Sequence, residues 1–367
     1  MKKKLKIVQI LPSLNSGGVE RGTLEIASFL VRNGHDSTVV SQGGRLVDDL
    51  VKSGSVHIKM NIGKKSLFTF FLLPFLIKLI LNKNFDIIHA RSRFPAWIVF
   101  IALKLIPKNK RPFFVTTVHG FNKVSWYSKI MTKGDKVIAV SNFIKSHIIE
   151  KYQVDKKKIN VIHRGVPKYF SKLNEKNFEL WKASWKREFT YLENCKILTI
   201  IARVSRTKGI ETFIDMVNLL IKRGHNVHGL IVGEAKSLNY YNYLIKKIKN
   251  LKIEKYITLT GFRSDVFSII QYSDLTYCLS DVPEPFGRSV IESIKIGTPV
   301  IGYDSGGVGE QLRDIFPEGM IKYQDYDSLI KKTIYFLARS PKIKKTNLYT
   351  LEQMQNKTLK VYCSFFN

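Results

Sequence analysis

Two carboxylates and two cations stand out by type and spacing. Glu284 and Glu292 frame the stretch D-V-P-E-P-F-G-R-S-V-I-E-S-I-K-I-G-T-P, residues 281–299. Pro283 and Pro285 hold its first part extended. From about Gly287 the apolar positions Val290, Ile291, Ile294 and Ile296 follow a helical stripe, which Gly297 and Pro299 end. Eight residues of helix rise roughly 12 Å, about the reach from a sugar ring across a diphosphate to a ribose. The free N–H groups of a helix N-terminus between the two acids suit a diphosphate. Arg203 and Lys208 lie in I-A-R-V-S-R-T-K-G, a strand-to-helix loop. Two cations so placed can converge on a diphosphate and stabilise charge developing on a leaving group.

The first half of the chain offers a second group. His119 ends the strand F-F-V-T-T-V and precedes Gly120. Gly17 and Gly18 follow the first strand in Asn15-Ser16-Gly17-Gly18, with Glu20 and Arg21 next along, and a helix runs from about Val19 to Asn33. Strand, glycine turn and helix are a phosphate-binding arrangement in outline, without the G-x-G-x-x-G spacing of a dinucleotide fingerprint. Arg91 and Arg93 flank Ser92 after the strand ending at His89–Ala90 and are candidate acceptor contacts for phosphate or carboxylate groups. No Asp-x-Asp stands near a strand end in this half, nor any His/Cys cluster. Chemistry without a metal or resident cofactor is therefore expected, with cations and helix dipoles balancing the charge.

These residues need rigid elements beneath them. Strands are expected at 5–11, 37–41, 56–60, 86–90, 112–118 and 135–140, with helical patterns near 45–53, 67–82, 95–106 and 142–151. A second alternating series has strands at 197–202, 227–232, 256–260, 274–279 and 299–303. Its helix near 209–222 carries Ile210, Phe213, Ile214, Val217, Leu220 and Ile221 on one side. Helices near 327–337 and 346–362 finish the chain. Alternation of this kind implies two parallel, doubly wound sheets with ligand loops at the carboxyl ends of the strands. At 367 residues two domains are expected: 1–167, a connection at 168–194 with a packing helix and Trp181, Trp185 and Tyr191, and 195–345. A cleft between the domains is the expected site.

The 281–299 string resembles the P-E-x-F-G-R-x-x-x-E-x-x-x-x-G-x-P segment of retaining GT-B glycosyltransferases of the large family-4 group. The loop with Arg203 and Lys208 resembles that family's G-R-x-x-x-x-K-G motif, with Ala202 in place of the usual Gly. The likeness covers nearly all of the chain, including H-A-R-S-R-F-P-A-W (89–97), T-T-V-H-G (116–120), V-I-A-V-S-N-F-I (137–144) and V-I-H-R-G-V (161–166). It implies a GT-B fold, an α/β architecture of two Rossmann-like domains, 1–167 on the acceptor side and 195–345 for the nucleotide sugar, with 346–367 packing back on the first. By the same resemblance, Arg203 and Lys208 clamp the donor diphosphate, Glu284 holds sugar hydroxyls and Glu292 the ribose. His119 would contact the donor sugar through its backbone or ring. Gly17 and Gly18 match the first glycine-rich loop, Gly233–Glu234 the region near base and ribose, and Gly261-Phe262-Arg263 the loop whose backbone recognises the base. Phe286, Gly287 and Arg288 belong to the central motif. Gly306-Gly307-Val308-Gly309-Glu310, read as a glycine-rich turn, resembles the family's G-G-x-x-E. The implied reaction moves a hexose-type sugar from a nucleoside diphosphate to a glycan or lipid-linked acceptor, in lipopolysaccharide or other envelope-glycan synthesis. A sugar-nucleotide epimerase of the same fold is the nearest rival.

Composition bounds the partners. Net charge is +31, and residues 1–170 carry 30 Lys and Arg against 9 Asp and Glu, a net +21. Such a field favours anionic partners. A nucleic-acid-binding protein is the alternative suggested by charge alone, but no RNA- or DNA-binding motif accompanies it, so no nucleic acid is expected. The basic Met1–Lys6 and the short apolar run after it do not make a signal peptide. Leu67–Leu81 is the most apolar stretch, interrupted by Pro74 and Lys78 and short of the roughly 20 residues that span a bilayer. Flanked by Lys64, Lys65, Lys78 and Lys83, it reads either as a core-facing helix or as an interfacial anchor. The second reading predicts a cytoplasmic enzyme bound peripherally to the inner membrane face. Cys195, Cys278 and Cys363 have no metal-ligand spacing, and the first two are expected as buried thiols.

Overall fold

A computed structural model describes residues 3–366 except 16, 65, 168–172, 191, 193 and 345, and gives the backbone alone at 67. Of the residues named above, Met1, Lys2, Ser16, Lys65 and Tyr191 lie outside that description, as does 168–172 of the connection. The chain divides into two compact units, residues 1–165 with 350–367, and residues 166–349.

The first unit is built on a seven-stranded parallel sheet. In chain order its strands are β1 (Lys6–Ile10), β2 (Asp36–Ser41), β3 (Val56–Lys59), β4 (Ile87–Ala90), β5 (Phe113–Val118), β6 (Lys136–Ala139) and β7 (Ile159–Val161). Their order in space is β3-β2-β1-β4-β5-β6-β7. The central strands are rich in Ile, Val and Ala and buried beyond their first residue, β4 from end to end, the pattern of a sheet covered by helices on both faces. Ile26 and Leu30 of the helix Gly18–Arg32 pack on this sheet together with Met354, Val361 and Tyr362 of the last helix, Leu351–Cys363. That helix starts at a capping box, in which Thr350 and Gln353 bond each other's backbone N–H. The expected 346–362 helix therefore begins later, after an irregular stretch.

The second unit carries β8 (Lys196–Ile201), β9 (Val227–Val232), β10 (Ile257–Gly261), β11 (Leu275–Cys278), β12 (Val300–Tyr303) and β13 (Met320–Ile321), all parallel, in the order β10-β9-β8-β11-β12-β13. The helix Glu175–Glu188 is the packing helix expected in the connection, and its Trp185 is fully buried with Ile197, Leu230 and Ile269 in this unit's core.

Several local readings are corrected. The edge strands β7 and β13 and the helix Leu238–Asn250 were not anticipated. Three- and two-residue strands carry too little periodicity to be seen. Gly306–Glu310 is no turn but the start of the helix Gly306–Ile315. Three glycines in five residues disguise the helix. Cys195 is half-buried rather than buried.

Candidate active site

In each sheet the strand order reverses between its two innermost strands, where loops from neighbouring carboxyl ends turn opposite ways and leave a crevice. In the second unit that point lies between β8 and β11. The loop after β8 carries Lys208, and the loop after β11 carries Glu284. Lys208 Nζ lies 2.7 Å from Glu284 Oε1, and Ser280 Oγ donates to the same oxygen at 2.5 Å. Both partners of the ion pair are largely withdrawn from solvent. Asp281 N donates to Thr207 O at 3.1 Å, which ties the two loops along their backbones.

Gly209 makes this approach possible. It adopts φ +67°, and a Cβ there would stand 1.8 Å from the Leu279 carbonyl oxygen. Gly209→Ala is expected to cost at least about 3 kcal/mol, or roughly 6–12 °C in Tm. Thermal unfolding checks this against Gly18→Ala, where an added Cβ meets nothing within 4 Å.

The Pro-Phe-Gly turn is held from behind by the helix Gly306–Ile315. Gly307 N donates to Glu284 O at 2.7 Å, and Gln311 Nε2 reaches Phe286 O. Cβ atoms at Gly306 or Gly307 would collide with the backbone of residues 284–286. Phe286 is buried edge-on against Tyr349. Gly287, at φ +81°, starts the helix Arg288–Ile296. Only residues 288–292 of the Glu284–Glu292 span are helical. Glu292 is 7% exposed and accepts from Arg288 Nε at 2.7 Å.

In the first unit the reversal lies between β1 and β4. The Gly17–Gly18 loop follows β1, Arg91 follows β4, and His119 follows the neighbouring β5. Gly17 precedes the helix Gly18–Arg32, whose first turn carries Glu20. Arg164 Nη2 donates to Gly18 O. Arg91, expected as an outward contact, is instead only 4% exposed and donates through Nη1 to Gln9 Oε1 at 2.8 Å. It directly follows β4, which is buried throughout and carries it inward. Arg93 stays half-buried, bonded to Ser128 Oγ at 3.1 Å and lying over the Tyr127 ring. Burial, with Arg91, Arg164 and His89 adding to it, pushes the His119 imidazolium well below its ordinary pKa, so the ring is neutral at pH 7.

Known proteins decide the family. The family model described as Glycosyltransferase Family 4 matches residues 16–168, and that described as Glycosyl transferases group 1 matches residues 182–352. A glycosyltransferase from Rickettsia africae ESF-5 is 31% identical, with a TM-score of 0.87 and 99% of each chain covered. The chain belongs to the group 1, family-4 glycosyltransferases. Its two parallel-sheet units are those of the GT-B fold. Anabaena HepE, crystallised with UDP and glucose, shares the fold at 18% identity and a TM-score of 0.82, over 98% of this chain and 100% of its own. The N-acetyl-alpha-D-glucosaminyl L-malate synthase of Bacillus anthracis is 25% identical over 84% of this chain and 81% of its own.

In this glycosyltransferase the remaining expected site residues fall at carboxyl ends of the second sheet. Arg203 is exposed and makes no ion pair among the described residues. Gly233, at φ +153°, stands so close to Ala202 O that a Cβ would lie 1.9 Å away, and its N–H donates to Gly261 O at 2.9 Å. Glu234 and Phe262 are exposed. Arg263 bonds Asp265 and Glu188 and lies over Trp185, so its side chain is committed to the fold. Glu310 is buried in the helix behind the turn. Arg206, without a role in the sequence, packs over Tyr240 and Tyr243. Ser280 was missed. A hydroxyl at a strand end, four residues before Glu284, is the signal that pointed to it.

Proposed function

We propose that this chain is a retaining hexosyltransferase that uses a nucleoside diphosphate sugar and glycosylates a hydroxyl of a glycan or lipid-linked acceptor in lipopolysaccharide or other envelope-glycan synthesis. The observation that carries this reading is the Lys208–Glu284 contact, 2.7 Å long, at the reversal point of the second sheet. A cation and a carboxylate from separate loops are held there side by side. Lys208 and the exposed Arg203 serve the leaving diphosphate, and Glu284 accepts from sugar hydroxyls. Glu292 receives the ribose hydroxyls, and the N-terminus of the helix Arg288–Ile296 faces the diphosphate. His119 touches the donor sugar. As the C1–O bond to the diphosphate breaks, an oxocarbenium-like centre forms and the acceptor oxygen bonds to C1 on the face that the diphosphate leaves. The acceptor proton leaves with the diphosphate.

The place of work follows from the surface of the first unit. The segment Leu67–Leu72 is a 3₁₀ turn leading into the helix Leu73–Lys83. Thr69, Leu76 and Ile80 are buried beneath it, while Phe68, Phe71 and Phe75 are 78%, 72% and 66% exposed. No described helix is long and apolar enough to cross a membrane. Exposed aromatic rings beside Lys64, Lys78 and Lys83 suit an anionic lipid surface. We assign the enzyme to the cytoplasmic face of the membrane, where donor and lipid-linked acceptor meet.

The test is a thermal-shift screen against UDP-, GDP- and ADP-sugars, followed by NMR of the product with the best donor. Bound ligand raises Tm by mass action. The expected result is stabilisation by one nucleotide class and a product with the anomeric configuration of the donor, formed equally well in EDTA. An inverted product, or activity abolished by EDTA, overturns the mechanism. Epimer formed without acceptor favours the epimerase. Salt-steep RNA binding with no response to any nucleotide sugar favours the nucleic-acid reading.

A further inference from the structure

A small cavity of about 20 Å³ lies inside the first unit, lined by Arg91, His119, Arg164, His89, Thr117 and Thr358 among others. That is room for one water. Most polar groups on its wall are already used. His89 spends Nδ1 on Tyr362 Oη and Nε2 on Thr117 Oγ1, both at 2.6 Å. Thr358 Oγ1 donates to Met354 O. Arg91 Nη1 is engaged with Gln9. Two buried atoms are left over, Arg91 Nε and His119 Nε2, neither of which has a hydrogen-bond partner. His119 Nδ1 makes no hydrogen bond either, yet is not buried.

We propose that Arg91, acting through one water in this cavity, fixes His119 as its Nδ1–H tautomer and so presents a hydrogen-bond donor at the carboxyl end of β5. A guanidinium only donates, so the water accepts from Arg91 Nε–H and turns its own hydrogens outward. The Thr117 and Thr358 hydroxyls keep lone pairs on the wall but are already bonded; His119 Nε2 is the buried ring nitrogen with no partner at all, and as an acceptor it takes one of the water's hydrogens. Electrostatics agree. A lone pair directed at Arg91 and Arg164 is attracted by their charge, whereas an N–H dipole directed there is repelled, and a dry interior magnifies the difference. The proton is thereby driven to Nδ1, the nitrogen open to solvent. His119 then offers N–H to an oxygen of the substrate and cannot serve as a base through that nitrogen. Arg91 is a positioning residue, which explains an arginine held in the interior. The substrate contact rests on the glycosyltransferase site proposed above; the tautomer does not.

The test is ¹⁵N NMR of the full chain labelled at histidine, with the His119 signals identified by their loss in His119→Gln. The expected result at neutral pH is a single neutral form, protonated at Nδ1 and bare at Nε2. In folded Arg91→Met that preference is expected to vanish into a mixture of tautomers, and in Arg91→Lys, which keeps a buried donor, to return in part. Donor kcat/KM in Arg91→Met is expected to fall about tenfold, the worth of one hydrogen bond. An Nε2–H tautomer or an imidazolium in the wild type overturns the proposal, as does an unchanged His119 pattern in folded Arg91→Met. The wild-type spectrum decides the tautomer whether or not Arg91→Met folds. It needs no sugar donor, so its failure is separate from failure of the glycosyl-transfer reading.

Discussion

Lys208→Ala is expected to lower kcat by about 100- to 1000-fold, the usual loss when one group stabilising a developing anion is removed. The charge on the departing diphosphate grows as its bond to the sugar breaks, so a cation aimed at it contributes more in the transition state than in the ground state. In the proposed site Lys208 serves that charge, and its contact with Glu284, made across 76 residues of chain, holds it in place. The carboxylate keeps its bond from Ser280 in the variant, so the turn around residues 280–287 should persist. Glu292→Gln makes the contrast. Its amide oxygen still accepts from Arg288 Nε, now 2.7 Å from the carboxylate, but the charge that in the proposed role strengthens bonds to ribose hydroxyls is gone. The donor KM should rise about tenfold with kcat nearly unchanged. Steady-state kinetics with the donor found by thermal shift reads both. Wild-type values in both variants, or a KM effect alone for Lys208→Ala, would remove these residues from the proposed roles.

Replacing Phe68, Phe71 and Phe75 together by Ser is expected to weaken binding to anionic vesicles by roughly 30- to 1000-fold. Half-burial of three phenyl rings contributes roughly 2–4 kcal/mol, taking about 1.5–3 kcal/mol for each ring fully buried. The rings are exposed already, so the variant should fold with an unchanged Tm. Lys64, Lys78 and Lys83 supply the other part, about 1 kcal/mol for each cation close to an anionic surface. Raising the salt should therefore weaken wild-type binding, and neutral vesicles should bind poorly. Flotation with phosphatidylglycerol-containing and pure phosphatidylcholine vesicles measures this. Binding unaffected by the triple change would move the contact elsewhere on the basic first unit. No binding to either vesicle would leave the aromatic surface without a lipid role.

Much of this protein is legible along the chain. Continuous Val/Ile runs alternating with striped helices announce two parallel sheets, because a strand covered on both faces must be apolar throughout. The Lys208 loop and the Glu284 turn are local features as well. Pro283, Pro285 and Gly287 prescribe a break before the helix, whereas the left-handed φ of Gly209 beside Lys208 is seen only in the structure. The Leu67–Leu81 stretch shows its apolar character in the sequence but not which side chains face water. Packing beneath the 3₁₀ turn and the helix Leu73–Lys83 decided that, sending Leu76 and Ile80 inward and Phe68, Phe71 and Phe75 outward. Tertiary structure also settled the pairing of distant residues. Lys208 meets Glu284 because β8 pairs with β11, which places two loops at one reversal point, and no spacing rule encodes the adjacency of strands so far apart. The last helix joins the core of the first unit through Met354, Val361 and Tyr362, a choice of partner that its amphipathic pattern leaves open. Arg91 is the sharpest case. Charge alone assigns an arginine to the surface, and only the packing of β4 against β1 and β5 carries it inside, where Gln9 accepts one hydrogen bond and Arg91 lines the cavity beside His119.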